Sequence, residues 1–302
     1  MNDGAGVELR FPLRHLTLAA RAWGDPADPP ILALHGWLDN AASFERLAPL
    51  LKGRYVVALD LPGHGRSEHR PAGSWYAYVD YLDEIAEVIE VSGWHRPDLL
   101  GHSLGATLAS IHAAVRPDTV GRLLLIEGLG PLTAPIESTL EQLRRSQAAR
   151  AAFSGGKLRV FEDIEAAIQA RQRSSALSTE AARCLVQRGL KPVHDASAMD
   201  APAACGYSWA SDPRLTLPSS LRLTEAQLAT ILPAIQADTL LVLAQPGEPY
   251  LPREMVDARI ALLQSIEVVR LDGTHHLHLE DPEPVAAAIL EFLKRKPMAE
   301  NG

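Results

Sequence analysis

Cysteine is nearly absent from this chain of 302 residues, which has only Cys184 and Cys205. Neither belongs to a Cys-x-x-Cys pair or stands at a ligand-like spacing from histidines. That argues against a disulfide framework or a structural zinc knot, and two free thiols in a reducing compartment are expected. Positive charge is not in surplus either. Lys and Arg number 29 against 37 Asp and Glu, a formal net charge of −8. The two signs are interspersed, so no basic stripe offers itself to nucleic acid. No run of about 18 apolar residues exists, and no membrane span is expected. The most apolar stretch, 99–115, is interrupted by Gly101, His102, Ser103, Gly105 and His112. The first ten residues show no basic patch followed by an apolar stretch, so no secretory leader is read and a cytoplasmic location is expected. Low-complexity linkers and internal repeats are also lacking.

What is present is material for a packed core, with 47% hydrophobic and 22% charged residues. Residues 7–23 read as two short alternating strands. Short continuous apolar runs follow at 31–34, 55–59, 97–100, 123–126, 240–243 and 266–269, the pattern of strands buried on both faces of a parallel sheet. Helical periods lie between them, at roughly 41–52, 76–92, 104–116, 253–264 and 282–295. Alternating strands and helices imply an α/β fold with a mostly parallel sheet covered on both faces. The alternation stops over 131–235, where helix-forming sequence rich in Ala, Arg, Gln and Glu takes over. That stretch reads as a helical cap inserted in one core domain made of 1–130 and 236–302. Residues 296–302 read as a frayed tail.

Gly101-His102-Ser103-Leu104-Gly105 fits G-x-S-x-G. A serine on a sharp strand-to-helix turn needs neighbours without side chains two positions away on each side. The motif is weak alone. Here it follows an apolar strand-like run and opens a helical period, which is the setting a nucleophile requires. His35-Gly36-Trp37 follows an earlier buried strand, where an oxyanion-binding amide is expected. The N–H groups of Trp37 and Leu104 would converge on a carbonyl oxygen as it gains charge. His35 reads as a residue that shapes this loop, and His64, in the glycine-rich loop 60–67, as structural.

After the last strand comes Gly273-Thr274-His275-His276-Leu277-His278. A histidine there reaches back over the sheet edge to the serine. His275 is taken as the general base, with His276 as the alternative. The cluster lacks the partners of a zinc site, and no metal is expected. The acid that should orient the imidazole has two candidates. The loop after 240–243 contains no Asp, but it does contain Glu248. Glu127 stands at the end of 123–126, where a buried carboxylate is hard to explain as a solvated charge. Glu127 is favoured narrowly, and Glu248 stays open.

These motifs carry a resemblance. His35-Gly36-Trp37-Leu38-Asp39-Asn40-Ala41, Gly63-His64-Gly65, the serine elbow, His275-His276-Leu277-His278, and Tyr207-Ser208-Trp209 followed by Asp212-Pro213-Arg214-Leu215 are similar to those of the α/β-hydrolase superfamily. They are most like those of the serine hydrolase-like proteins, over nearly the whole chain. The resemblance implies a twisted sheet of about eight strands with helices on both faces, an inserted helical cap, a Ser-His-acid triad and no cofactor. It implies that the usual acid position after the seventh strand can be a Gly, as at Gly247. Some haloalkane dehalogenases, relatives by fold, place a Glu after the sixth strand, as at Glu127. The expected activity is hydrolysis of a carboxylic ester or related acyl compound by Ser103 and His275. A serine at the elbow argues against dehalogenase or epoxide hydrolase chemistry, which needs an Asp there. The alternatives are hydrolysis of a carbon–carbon bond with the same triad, and a ligand-binding or regulatory protein with negligible turnover. Trp37, Tyr207, Trp209 and Tyr250 are candidate pocket walls. The expected partner is a small-molecule acyl substrate, and a homodimer is allowed.

Overall fold

The computed structural model describes residues 6–156, 158–194 and 204–295. The tail at 296–302 lies outside the described residues. Eleven strands and nine α-helices are described. The strands are β1 (Val7–Pro12), β2 (Thr17–Trp23), β3 (Pro30–Leu34), β4 (Tyr55–Leu59), β5 (Asp98–His102), β6 (Leu123–Ile126), β7 (Val160–Phe161), β8 (Leu190–His194), β9 (Ala204–Trp209), β10 (Thr239–Gln245) and β11 (Ile266–Asp272). The helices are α1 (Tyr81–Val91), α2 (Leu104–Val115), α3 (Thr139–Ala152), α4 (Ile164–Ser174), α5 (Thr179–Gly189), α6 (Glu225–Ile231), α7 (Arg253–Ile260), α8 (Leu277–Glu280) and α9 (Pro282–Lys294).

Eight strands form one sheet in the order β1-β2-β4-β3-β5-β6-β10-β11. Pairing is antiparallel for β1–β2 and β2–β4 and parallel from β4 to β11. The apolar runs of β3, β4, β5, β6 and β10 are buried almost throughout, as a doubly covered parallel sheet requires, whereas the run at 266–269, also expected to be buried, lies in the edge strand β11 and is only partly so. Because side chains alternate along a strand, Leu32 and Leu34 enter one core with Leu99, Leu123 and Leu125, against α1 and α2. Ile31 and Ala33 enter the other with Leu100, Leu124 and Ile126, against α9.

Register places the functional loops. Leu34 pairs with Gly101 and His102 with Ile126, so the residues after β3, β5 and β6 emerge together at one sheet edge. The strands' carboxyl ends are where open α/β sheets build their sites. Close approach there depends on glycine. A Cβ on Gly105 would stand 1.8 Å from the Leu34 carbonyl oxygen, and one on Gly101 would stand 2.4 Å from that of Gly105.

Two expectations need correction. The helix read at 41–52 is instead two 3₁₀ turns, Ala41–Phe44 and Ala48–Leu50. Pro49 has no N–H and collides with the preceding turn, so no α-helix runs through. The 131–235 stretch, expected to be helical, holds α3 to α6 together with the antiparallel sheet β7-β9-β8. β7 has only two residues, and β8 carries Pro192, tolerable because β8 is an edge.

This stretch is tied to the sheet by a buried ion pair. Arg188 of α5 is 3% exposed, and its Nε donates to both oxygens of Asp60 at 3.1 and 3.0 Å. Asp60 also accepts from the Ala41 N–H at 2.7 Å and the Arg66 N–H at 2.9 Å.

Two outcomes follow for stability. Gly105→Ala has no room against the Leu34 backbone and should lose about 3 kcal/mol or more in urea denaturation. Arg188→Met strands the buried Asp60 carboxylate and should cost about 3–5 kcal/mol by the same measurement.

Candidate active site

Ser103 follows β5 at φ 52°, ψ −109° and directly precedes α2. The left-handed region is uncommon outside glycine and is held only where the surroundings over-determine it. Here the Ser103 N–H donates to the Ile126 carbonyl at 3.0 Å, and its own carbonyl accepts from the Thr107 N–H at 3.0 Å. The half-buried side chain is thereby presented at the strand-to-helix turn.

Glu127 is the residue after β6, with φ 54°. Its N–H donates to the Val242 carbonyl at 2.9 Å, and its side chain is only 2% exposed. One carboxylate oxygen accepts from the Ala244 N–H at 2.6 Å, and the other lies 3.1 Å from His275 Nδ1. A carboxylate can only accept, so Nδ1 carries the hydrogen and Nε2 keeps a free lone pair. That is the tautomer a general base needs. The Tyr250 hydroxyl also stands 2.9 Å from Nδ1. Burial, then the Glu248 and Glu127 carboxylates, push the Tyr250 phenol up, so it stays a neutral hydroxyl at ordinary pH. The charge-assisted bond to Glu127 is the stronger of the two. Glu248 is close as well: one ligand-capable atom each of Glu127, Glu248 and His275 lie within 4.8 Å of one another. Both acids proposed from the sequence thus approach His275, and Glu127 makes the hydrogen bond.

A buried histidine network holds the surrounding loops. Burial pushes His35 down to about 4, so its ring is neutral. Its Nδ1–H donates to the Gly36 carbonyl at 2.7 Å, and Nε2 accepts from the Leu61 N–H at 3.0 Å. His64, pushed down to about 3 by burial, packs edge-on against His35 at 5.0 Å between ring centroids. His102 Nε2 donates to the His275 carbonyl at 2.8 Å, which anchors the base loop on the elbow. His276, the alternative base, is instead buried with Nε2 3.2 Å from Asp39. Burial opposes ionisation of Asp39, but His276 and then Arg171 hold its carboxyl well below the usual range. Sequence reasoning left Asp39, His102, Arg171 and the Tyr250 hydroxyl without these roles. For His102 and Asp39 the available signal was adjacency to the elbow and to the loop after β3; Arg171 and Tyr250 stand far from these motifs in sequence and gave none.

Of the other candidates, Trp37 is 53% exposed, and its indole N–H donates to the Leu215 carbonyl at 3.1 Å. Its neighbour Leu38 has φ 59°. Leu104 opens α2 beside the serine. Tyr207 and Trp209 share one face of β9. The Trp209 ring packs edge-on against Phe161 at 5.2 Å, within the apolar cluster of α4 and α5.

A cavity of about 420 Å³ opens beside Glu127, lined also by Glu248, Leu251, Arg253, Val256 and Arg270. Two clusters of the described residues have metal-ligating atoms in reach of one another: Asp39, His102 and His276, and Glu127, Glu248 and His275. In the first, the Arg171 guanidinium already sits on the Asp39 carboxylate. Cys184 and Cys205 are free thiols. No helix of the described residues is long and apolar enough to cross a membrane.

The chain is similar over most of its length to known proteins. The alpha/beta hydrolase family profile matches residues 31–288. A serine hydrolase-like protein of Danio rerio is 30% identical, the alignment covering 96% of this chain and 89% of that one. The crystal structure of a hypothetical protein from Pseudomonas aeruginosa PAO1 is 41% identical with a TM-score of 0.88, covering 95% of this chain and 99% of that one. The thioesterase domain from the curacin biosynthetic pathway is 28% identical with a TM-score of 0.80, covering 95% and 99% of the two chains. With the expected sheet, elbow and loops all present, the chain belongs to the alpha/beta hydrolase family.

Proposed function

We propose that the protein is a serine hydrolase that cleaves a carboxylic ester or related acyl bond through an acyl-enzyme. The observation that carries this reading is the hydrogen bond that holds His275 Nδ1 on the buried Glu127 carboxylate, at the same sheet edge as a serine in a left-handed elbow. Similarity to a thioesterase domain at 28% identity supports acyl chemistry.

Ser103 Oγ attacks the acyl carbonyl as His275 Nε2 takes its proton. The N–H groups of Trp37 and Leu104 hold the oxyanion. Glu127 keeps the catalytic tautomer and stabilises the imidazolium. His275 then returns the proton to the leaving group, and water activated by the same nitrogen releases the acid. The stretch 131–235 acts as a cap over the site, with Trp37 and Tyr207 as candidate walls for the substrate. No cofactor takes part in these steps.

Covalent labelling by a fluorophosphonate probe, read by intact mass, tests the nucleophile. Wild type should gain one adduct and Ser103→Ala none. A well-folded wild type that does not label would overturn the hydrolase reading in favour of a ligand-binding protein. A panel of acyl esters of graded length then tests the acid. Glu127→Gln should lose roughly 10³- to 10⁴-fold in kcat, while Glu248→Gln loses little. The reverse pattern would transfer the role to Glu248.

A further inference from the structure

We propose that Glu127, Glu248 and His275 form a binding site for one divalent transition-metal cation of the zinc class, and that its occupancy switches the serine off. The inference rests on the hydrolase reading for its effect on Ser103, but the site itself stands on its own geometry. One donor atom from each residue lies within 4.8 Å of the others. Zinc bonds of about 2.0–2.2 Å place neighbouring ligands roughly 3–4 Å apart, so closure by about an ångström completes the set. Two carboxylates and an imidazole match the ligand preferences of zinc and balance its charge. The Tyr250 hydroxyl, 2.9 Å from His275 Nδ1, lies where a fourth oxygen ligand would come from.

The two carboxylates differ in a useful way. Glu127 is 3% exposed and fixed by the Ala244 N–H, which pre-sets one ligand. Glu248 is half-buried on a loop and lines the open cavity, so this ligand has room to adjust. Both residues line the cavity of about 420 Å³, which gives a cation its way in. The two arginines that share that cavity, Arg253 and Arg270, are paired with Asp257. The other His-carboxylate cluster lacks these properties. Its Asp39 already carries the Arg171 guanidinium, and His102 is fully buried.

The effect on catalysis follows from the proton count of one neutral imidazole. Metal at Nδ1 uses that nitrogen's lone pair, so the ring's single proton moves through solvent to Nε2. An Nε2–H cannot accept the proton of Ser103. The cation also takes the Glu127 carboxylate away from the imidazole. In this way the second acid, which the triad does not use, converts the acid–base pair into a chelate.

The test uses the intact protein and Zn²⁺ itself. Isothermal titration should give one Zn²⁺ per chain for wild type and an affinity at least tenfold weaker for Glu248→Gln. Fluorophosphonate labelling of wild-type Ser103 should slow in step with that isotherm and recover on adding EDTA. Unchanged affinity in Glu248→Gln would overturn the site, because the zinc would then be held elsewhere. So would one-site saturation that leaves the labelling rate unaltered. Wild type that labels but binds no Zn²⁺ overturns this inference alone. Wild type that binds Zn²⁺ through Glu248 but never labels supports the site and counts against the hydrolase reading.

Discussion

The arrangement at the sheet edge depends on one buried carboxylate. Glu127 emerges from a central strand in a left-handed conformation, is almost wholly removed from water, and spends its two oxygens on the Ala244 amide and the His275 imidazole. An ionised carboxylate in such a place is tolerable only when both oxygens find donors. The need is mutual. The carboxylate requires the imidazole hydrogen, and the imidazole takes from it the tautomer that leaves Nε2 bare. Because the Glu127 N–H continues the β6–β10 pairing, the orientation of a loop histidine is referred to the hydrogen-bonded central sheet.

Around that bond, the loops are connected by groups that are neutral or paired. His35 uses both ring nitrogens to join the oxyanion loop to the loop after β4. His102 joins the elbow to the base loop, and Asp39 collects His276 and Arg171. Asp60 and Arg188 extend the same logic to the 131–235 stretch. Apart from the His35–Gly36 bond, each contact crosses between segments well apart in the chain, so the loops near Ser103 are positioned by more than their own sequence. This is the support that a site built on loops needs if its geometry is to be held to within a fraction of an ångström.

Much of the fold was legible in the sequence. Every apolar run read as a strand is one, but the run at 266–269 forms the edge strand β11 and is only partly buried, because no further strand covers that side. The elbow was legible for a similar reason, since the backbone approach of Leu34 to Gly105 admits no Cβ. The β7-β9-β8 sheet was not, for β7 has only two residues and β8 is a largely exposed strand that carries Pro192, so neither writes a strong period. The pair of 3₁₀ turns at 41–50 hid behind an apolar spacing that suits a helix equally well. Trp209, a candidate pocket wall by its type, packs edge-on against Phe161.

The sequence by itself determined the alternation of strand and helix, the strained turn at Ser103 and the histidine-bearing loop after the last strand. These are properties of local chemistry and periodicity, which a chain carries wherever it is read. The choice between Glu127 and Glu248 as His275's hydrogen-bond partner, and between His275 and His276, belonged to the tertiary structure. Both pairs are of like type and stand at plausible positions. What separates them is the parallel register that carries Glu127 beneath His275 and the buried Asp39 that claims His276, and neither contact is local in sequence.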